Sequence, residues 1–271
     1  MVGWNLCASN YSSFSMIQLP PNMTGPESVA FNFLGGGPYV GVADGRILKW
    51  LGLGFGFVEF ANTSPKRTKE LCDGTTDPDL GPICGRPPGL SFNYATGELY
   101  IVDAYFGLQV AGFRGGLGTV LATAAEGIPF RFLSGNQPNG MVFFFSDTSE
   151  TYELRKLLKY NPRTKQVTVL LAGLALAIGP AVSANNTFVL VSEYQLRRLQ
   201  KFYLTGPKAN TSEVFLNLPG IQAKLRGPPQ ETFESYRQKS GPGSGAHNPN
   251  GAEVQCGWDS DGTGEYWCAV S

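Results

Sequence analysis

Short stretches in which apolar and polar residues alternate, each closed by Gly, Pro, Asn or Asp, recur along the chain and predict β-strands joined by tight turns. The recurring unit has two halves. The first is a Gly/Pro turn leading into an alternating strand, as in Gly25-Pro26-Glu27-Ser28-Val29-Ala30-Phe31, Gly85-Arg86-Pro87-Pro88-Gly89-Leu90-Ser91-Phe92 and Gly179-Pro180-Ala181-Val182-Ser183. The second is an apolar strand, an acidic residue at its end, a short turn and a further strand. It appears as YVGVADGRILKW from 39 to 50, LYIVDAYFGLQV from 99 to 110, VFFFSDTSETYELRKLLKY from 142 to 160 and FVLVSEYQLRRLQKFY from 188 to 203.

The acidic residues Asp44, Asp103, Asp147 and Glu193 mark equivalent places, read here as turn formers and strand stops, and lie 59, 44 and 46 residues apart. The last two intervals are the length of one propeller blade, and the first is a blade plus an insertion around Cys72 and Cys84. Hairpin signals at Asn93-Tyr94-Ala95-Thr96-Gly97 and Asn185-Asn186 complete a meander of about four strands per unit. A blade cannot bury both of its faces alone, so such units predict an all-β chain of the β-propeller type, stacked radially about a central channel. Two stretches depart from the repeat. Ser134 to Gly140 predicts only a loop where the third unit should open with a strand, and Thr151 to Leu158 predicts a short helix. The pattern stops near residue 226. The expected organisation is an N-terminal segment over 1–20, a propeller region of about four recognisable blades over 21–226 with the late blades missing, and a divergent, weakly ordered tail over 227–271.

Composition supports a folded chain rich in turns, with 42% hydrophobic residues, 35 Gly and 19 Pro among 271. The formal net charge is zero, which leaves no overall electrostatic footprint for nucleic acid or anionic lipid, local patches aside. The longest apolar run, Val167 to Val182, is broken by Gly173, Gly179 and Pro180 and is too short for a membrane span. Five Cys without a CxxC and one histidine, His247, argue against a zinc site and against Ser/His or Cys/His nucleophilic chemistry. Cys72 and Cys84 read either as buried thiols or, preferably, as a disulfide stapling the turn-rich stretch between them. Sequons at Asn22, Asn185 and Asn210, with two more at Asn10 and Asn62, favour a secreted lineage and glycosylation. Residues 1–20 lack the basic and apolar regions of a signal peptide, so the route into that pathway is unexplained.

From about Gly25 to about Leu225 the chain resembles the plant strictosidine synthase and strictosidine synthase-like family, six-bladed propellers related to calcium-dependent lactonases and phosphotriesterases. The stretches that carry the likeness are DGRILKW (44–50), KELCDGTTDPDLGPICGRPPGLSFNYATGELYIVDAYFGL (69–108), GGLGTVLATAAEGIPFRF (115–132), LLKYNPRTKQVTVLL (157–171) and FVLVSEY (188–194). The resemblance implies a disulfide between Cys72 and Cys84 and a vacuolar or extracellular location. It also implies a Pictet-Spengler condensation of an aryl ethylamine with an aldehyde in alkaloid biosynthesis, driven by a glutamate base on a late blade. Nothing after residue 226 matches that blade, so no catalytic residue is assigned and loss of the activity is expected. Tyr105, Phe132 and Tyr194 match strand ends that face the family's cavity, where they would hold a small flat ligand or else pack between blades. Glu27 matches the first ligand of the related calcium hydrolases, with Asn136 as a second candidate. Calcium takes six or more oxygens, so that site is expected to be incomplete, and the alternative readings are a metal-dependent ester or lactone hydrolase and a non-catalytic secreted binding protein or truncated gene product.

Overall fold

The computed structural model describes residues 17, 19–139, 142–148, 155–183 and 185–218, and the backbone of strands at 222–226, 246–247, 253–258 and 266–270. Side chains are described as far as residue 135 and from 142 to 218 within those limits.

Each predicted unit folds as an antiparallel meander. Blade I contains β1 (Ser28–Ala30), β2 (Tyr39–Gly41), β3 (Arg46–Trp50) and β4 (Phe57–Asn62). Blade II contains β5 (Gly89–Phe92), β6 (Leu99–Asp103) and β7 (Gly107–Ala111), and is completed by β9 (Thr119–Ala122) after β8 (Gly116–Leu117) has joined the edge of blade I in parallel with β4. A two-stranded ribbon, β10 (Ala124–Ala125) with β11 (Ile128–Pro129), leads to blade III: β12 (Leu133–Asn139), β13 (Val142–Asp147), β14 (Lys156–Asn161) and β15 (Gln166–Ala172). Blade IV is β16 (Ala177–Val182), β17 (Phe188–Glu193), β18 (Arg198–Tyr203) and β19 (Ser212–Asn217). A fifth sheet, with no counterpart among the sequence units, joins β20 (Gln222–Arg226) to β21 (Ala246–His247), β22 (Glu253–Trp258) and β23 (Tyr266–Val270) in the order β20-β23-β22-β21.

The first strands of successive sheets lie side by side, β1 against β5, β5 against β12, β12 against β16 and β16 against β20. This is the radial stacking of a propeller, with the innermost strand of each blade next to that of its neighbour. Apolar layers fill the gaps between blades. Tyr39, Ile47 and Ala61 meet Leu90, Leu99 and Ile101 between blades I and II. Tyr100 stacks on Phe143 between II and III, its ring centroid 3.4 Å away. Phe144 and Leu157 meet Val189 and Val191 between III and IV. Phe143, Phe144 and Phe145 are all fully buried because both faces of this blade are covered, and each contributes roughly 1.5–3 kcal/mol.

Both local departures from the repeat are overturned. Ser134 to Gly140 was expected as a loop, but Leu133–Asn139 forms the opening strand of blade III, paired along Val142–Asp147 with a bulge between Ser134 and Asn136. Small, turn-prone residues suit an innermost strand, where neighbours crowd together. A Cβ placed on Gly135 would lie 2.6 Å from the Cα of Gly179, so two blades touch there backbone to backbone. Gly179 and Pro180, expected as a turn, lie within β16 at its own bulge between Ile178 and Ala181. The expected helix over Thr151–Leu158 is overturned as well. Residues 151–154 lie outside the described residues, and Lys156–Asn161 is a strand. Leu157 packs toward blade IV and Leu158 toward blade II, the two-sided burial that a strand gives adjacent residues.

Helix occurs among the described residues only in the insertion between blades I and II, as α1 (Lys69–Cys72), a 3-10 turn (Pro78–Leu80) and α2 (Gly81–Cys84). The Thr68 hydroxyl accepts from the Leu71 N–H and caps α1. Cys72 and Cys84 form a buried disulfide with Cα atoms 5.5 Å apart, which settles the two readings of this pair.

Candidate functional site

Because the second strand of every blade runs in the same sense, Asp44, Asp103, Asp147 and Glu193 all emerge at one end of the propeller, and all four are buried. Each does more than stop a strand. Each binds backbone N–H groups that would otherwise be orphaned in the turns around it. Asp44 accepts from the N–H of Arg46 at 3.2 Å and of Gly74 at 2.8 Å, and pairs with the Arg46 guanidinium at 2.6 Å. Asp103 accepts from Arg86, Tyr105 and Phe106. Asp147 accepts from Phe132, and Glu193 from Ala175, with Arg198 closing an ion pair on Glu193. In blades II, III and IV the donor, Arg86, Phe132 or Ala175, lies on the segment entering that blade's own first strand. The carboxylate therefore fixes where each innermost strand begins.

This device positions Arg86. Its N–H is held by Asp103 at 2.8 Å and its carbonyl accepts from the Ala104 N–H at 2.8 Å. The disulfide anchors the chain two residues earlier, at Cys84. So fixed, the side chain reaches across to blade I, where Nε donates to Glu27 Oε1 at 2.9 Å and Nη2 donates to the same oxygen. Glu27 sits at the start of β1, its own N–H bonded to the Gly41 carbonyl. Both side chains remain part-exposed, 35% for Arg86 and 27% for Glu27, so the pair faces solvent at the mouth of the inner strands. Burial pushes the Asp103 carboxyl up to about 6, outweighing the Thr63 and backbone hydrogen bonds that favour its charge.

The three candidate aromatics stand at this same end. Tyr105 follows Asp103 by two residues, and its hydroxyl donates to the Pro78 carbonyl at 3.3 Å. Its ring covers Gly81, where an added Cβ would lie 2.2 Å from the ring, so the insertion props it in place. Phe132 is tethered through its main chain to Asp147 and Thr148 and exposes its ring. Tyr194 follows Glu193 and donates its N–H to the Leu176 carbonyl at 3.1 Å, with the ring half-buried. No ring contact joins these three among the described residues. Arg155, buried between blades III and IV, donates to Gln195 Oε1 at 2.7 Å.

Calcium requires six or more oxygen ligands. Glu27 is paired with the Arg86 guanidinium. The neighbouring Ser28 hydroxyl already accepts from the Leu90 N–H. Asn136 lies in β12 opposite Phe145, and its side chain is outside the described residues. Among the described residues no group of three or more His, Cys, Asp or Glu could hold a metal ion. That set does not fit calcium, and the Arg86 cation supplies the positive charge beside Glu27.

Sequence reasoning missed Arg86 and Arg155, and read the four acidic residues only as turn formers. The available signal for Arg86 was its position between a Cys and a Pro-Pro-Gly that opens an inner strand.

A family model described as strictosidine synthase matches residues 136–207. Strictosidine synthase-like protein 10 of Arabidopsis thaliana is 45% identical over 218 residues, covering 75% of this chain and 58% of that protein. Strictosidine synthase-like protein 11 of the same plant is 39% identical over 228 residues, covering 79% and 69%. The strictosidine synthase of Catharanthus roseus is 36% identical over 211 residues, covering 72% and 60%. The chain thus spans between about three-fifths and two-thirds of the length of the curated relatives it matches. Among solved structures, a gluconolactonase from Xanthomonas campestris superposes with a TM-score of 0.57 at 13% identity, over 77% of this chain and 68% of that one. That likeness shows a shared propeller fold.

Proposed function

Since the chain belongs to the strictosidine synthase-like family, we propose that it binds a small aromatic ligand at the end of the propeller bearing Glu27, Arg86, Tyr105 and Phe132, without catalysing the family's condensation. One observation carries the reading. Glu27, Asp44, Asp103, Asp147 and Glu193, the carboxylates around the mouths of the four blades, are each engaged by a guanidinium or by backbone N–H groups. A Pictet-Spengler ring closure needs a general base within hydrogen-bond reach of the substrate nitrogen and later of the ring carbon. These partners would have to be displaced before a substrate proton could reach the carboxylates, and Asp103 is sealed from solvent. Binding needs less. The exposed rings of Tyr105 and Phe132 offer stacking surface for a flat ligand.

The test has two arms. Calorimetric titration with tryptamine is expected to show saturable binding that Tyr105→Ala and Phe132→Ala each weaken about tenfold. Incubation with tryptamine and secologanin is expected to leave both unreacted by mass spectrometry. Strictosidine formed at a rate proportional to protein concentration would overturn the non-catalytic part, and absence of binding would overturn the rest.

A second reading, metal-dependent ester or lactone hydrolysis, draws on the position of Glu27 and on the fold shared with the gluconolactonase. Under the proposal above, elemental analysis finds no stoichiometric calcium. Arylester hydrolysis that depends on added calcium and is lost in Glu27→Ala would favour the hydrolase instead.

A further inference from the structure

The end of the propeller opposite Glu27 is built from the hairpins that join first to second and third to fourth strands. Both tips of blade I and the third-to-fourth tip of blade II are apolar. Leu34 is 78% exposed, Leu53 94%, Phe55 80% and Phe113 72%, with Phe33 half-exposed beside them. These side chains belong to one neighbourhood. The two hairpins of blade I are tied by a hydrogen bond from the Trp50 N–H to the Pro38 carbonyl at 2.9 Å. Phe33 and Phe113 both approach Gly97 at the tip of blade II, within 4.0 Å of where its Cβ would be. Large apolar groups gathered on one face are unusual for a monomer surface and mark an interaction site.

We infer that this face docks on the surface of an anionic lipid bilayer. Three features select a bilayer over a protein partner. The tips project singly from glycine-flanked loops (residues 34–37, 51–56 and 112–116), whereas a protein interface packs its apolar core into a continuous complementary surface. A fluid acyl region closes around separate tips without needing that complementarity. Second, the segments 31–38, 51–56 and 112–118 contain no carboxylate and their one charge is Arg114, whose guanidinium lies 5.3 Å from the Phe113 ring centroid, while the one carboxylate of the hairpin 93–98, Glu98, accepts from the Thr96 hydroxyl. Third, Trp50 packs on Phe57 at the base of the most protruding hairpin, with Lys49 beside it. Tryptophan and lysine at that level, beneath leucine and phenylalanine tips, match the layering of a headgroup region over acyl chains.

The contact is one-sided. At this same end the described hairpin residues of blades III and IV are mostly polar, with Arg163, Lys165, Asn185 and Asn210 exposed. The propeller would therefore tilt, with blades I and II inserted and the basic residues facing the headgroups. The proposed attachment is peripheral, through the hairpin tips, and no helix among the described residues is long and apolar enough to cross a membrane.

Flotation of the full chain with mixed phosphatidylglycerol and phosphatidylcholine vesicles tests this. The wild-type protein is expected to float, less well in high salt and less well with phosphatidylcholine alone. Leu53→Asp with Phe55→Asp is expected to lower partitioning on the order of a hundredfold, since each substitution removes a side chain worth about tenfold and adds a charge. Both residues are exposed, so circular dichroism should show an unchanged fold. Leu196→Asp, at the opposite end, should float like the wild type. A wild-type chain that stays with the soluble fraction would overturn the inference, as would flotation unaffected by the double substitution. Light scattering that shows a dimer lost in the double variant would overturn it in favour of a second copy as the occupant.

Discussion

Asp103 illustrates how one side chain can serve geometry at a cost to stability. Three backbone N–H groups converge on it and orient Arg86, yet burial raises its carboxyl from 3.8 to about 6. An acid whose pKa is higher in the folded state favours folding most at low pH, and that contribution fades as pH rises through the folded value. The window runs from about 4 to about 6, which amounts to roughly 3 kcal/mol. Asp103→Asn keeps one acceptor and removes the titration. The variant should be less stable than wild type at every pH, with the gap narrowing by about 3 kcal/mol between pH 4 and 7 in urea unfolding. A gap independent of pH would mean that Asp103 titrates like an exposed acid. At this scale the sequence was only partly legible. The repeat of Asp44, Asp103, Asp147 and Glu193 was visible in one dimension, but their donors come from up to 30 residues away and belong to the tertiary fold.

The element most dependent on a covalent link is the insertion between blades I and II. Its helices are single turns that no isolated peptide would hold, and it supports Tyr105 through Gly81 and Arg86 through Cys84. Replacing Cys72 and Cys84 together by Ser should lower unfolding free energy by about 2–4 kcal/mol, measured by urea denaturation. If Tyr105 and Arg86 form the binding end, the same variant should bind tryptamine more weakly under native conditions, whereas an unchanged affinity would separate the insertion from the site. Strands were legible wherever turns bounded an alternating run, as in Tyr39–Gly41 and Leu99–Asp103. They were illegible in β12, where Gly135 and Pro138 signal a turn and pairing with Phe143–Ser146 decides otherwise. Cross-strand pairing overrides local preference when the partner strand is fully buried.

Over the whole molecule, stacked blades give two ends of opposite character, one with ion pairs and buried acids and one with apolar hairpin tips. The sequons read from the chain can be sorted on this body. Asn22, Asn185 and Asn210 lie on exposed turns, whereas Asn62 sits in β4 next to the buried Thr63. Expression through a secretory pathway should place glycosidase-sensitive mass on the first three and none on Asn62, as read by peptide mass mapping. Unmodified Asn22, Asn185 and Asn210 in secreted protein would remove that support for a secretory origin. The all-β class, the blade period and the disulfide stretch follow from the sequence alone, because strand alternation and turn chemistry are local and a repeat exposes them several times over. The engagement of every inner carboxylate, the guanidinium against Glu27, and the gathering of Phe33, Leu53 and Phe113 on one face were decided only by the tertiary structure. Each depends on residues from different hairpins or blades whose distances are set by stacking, which no single stretch of sequence encodes.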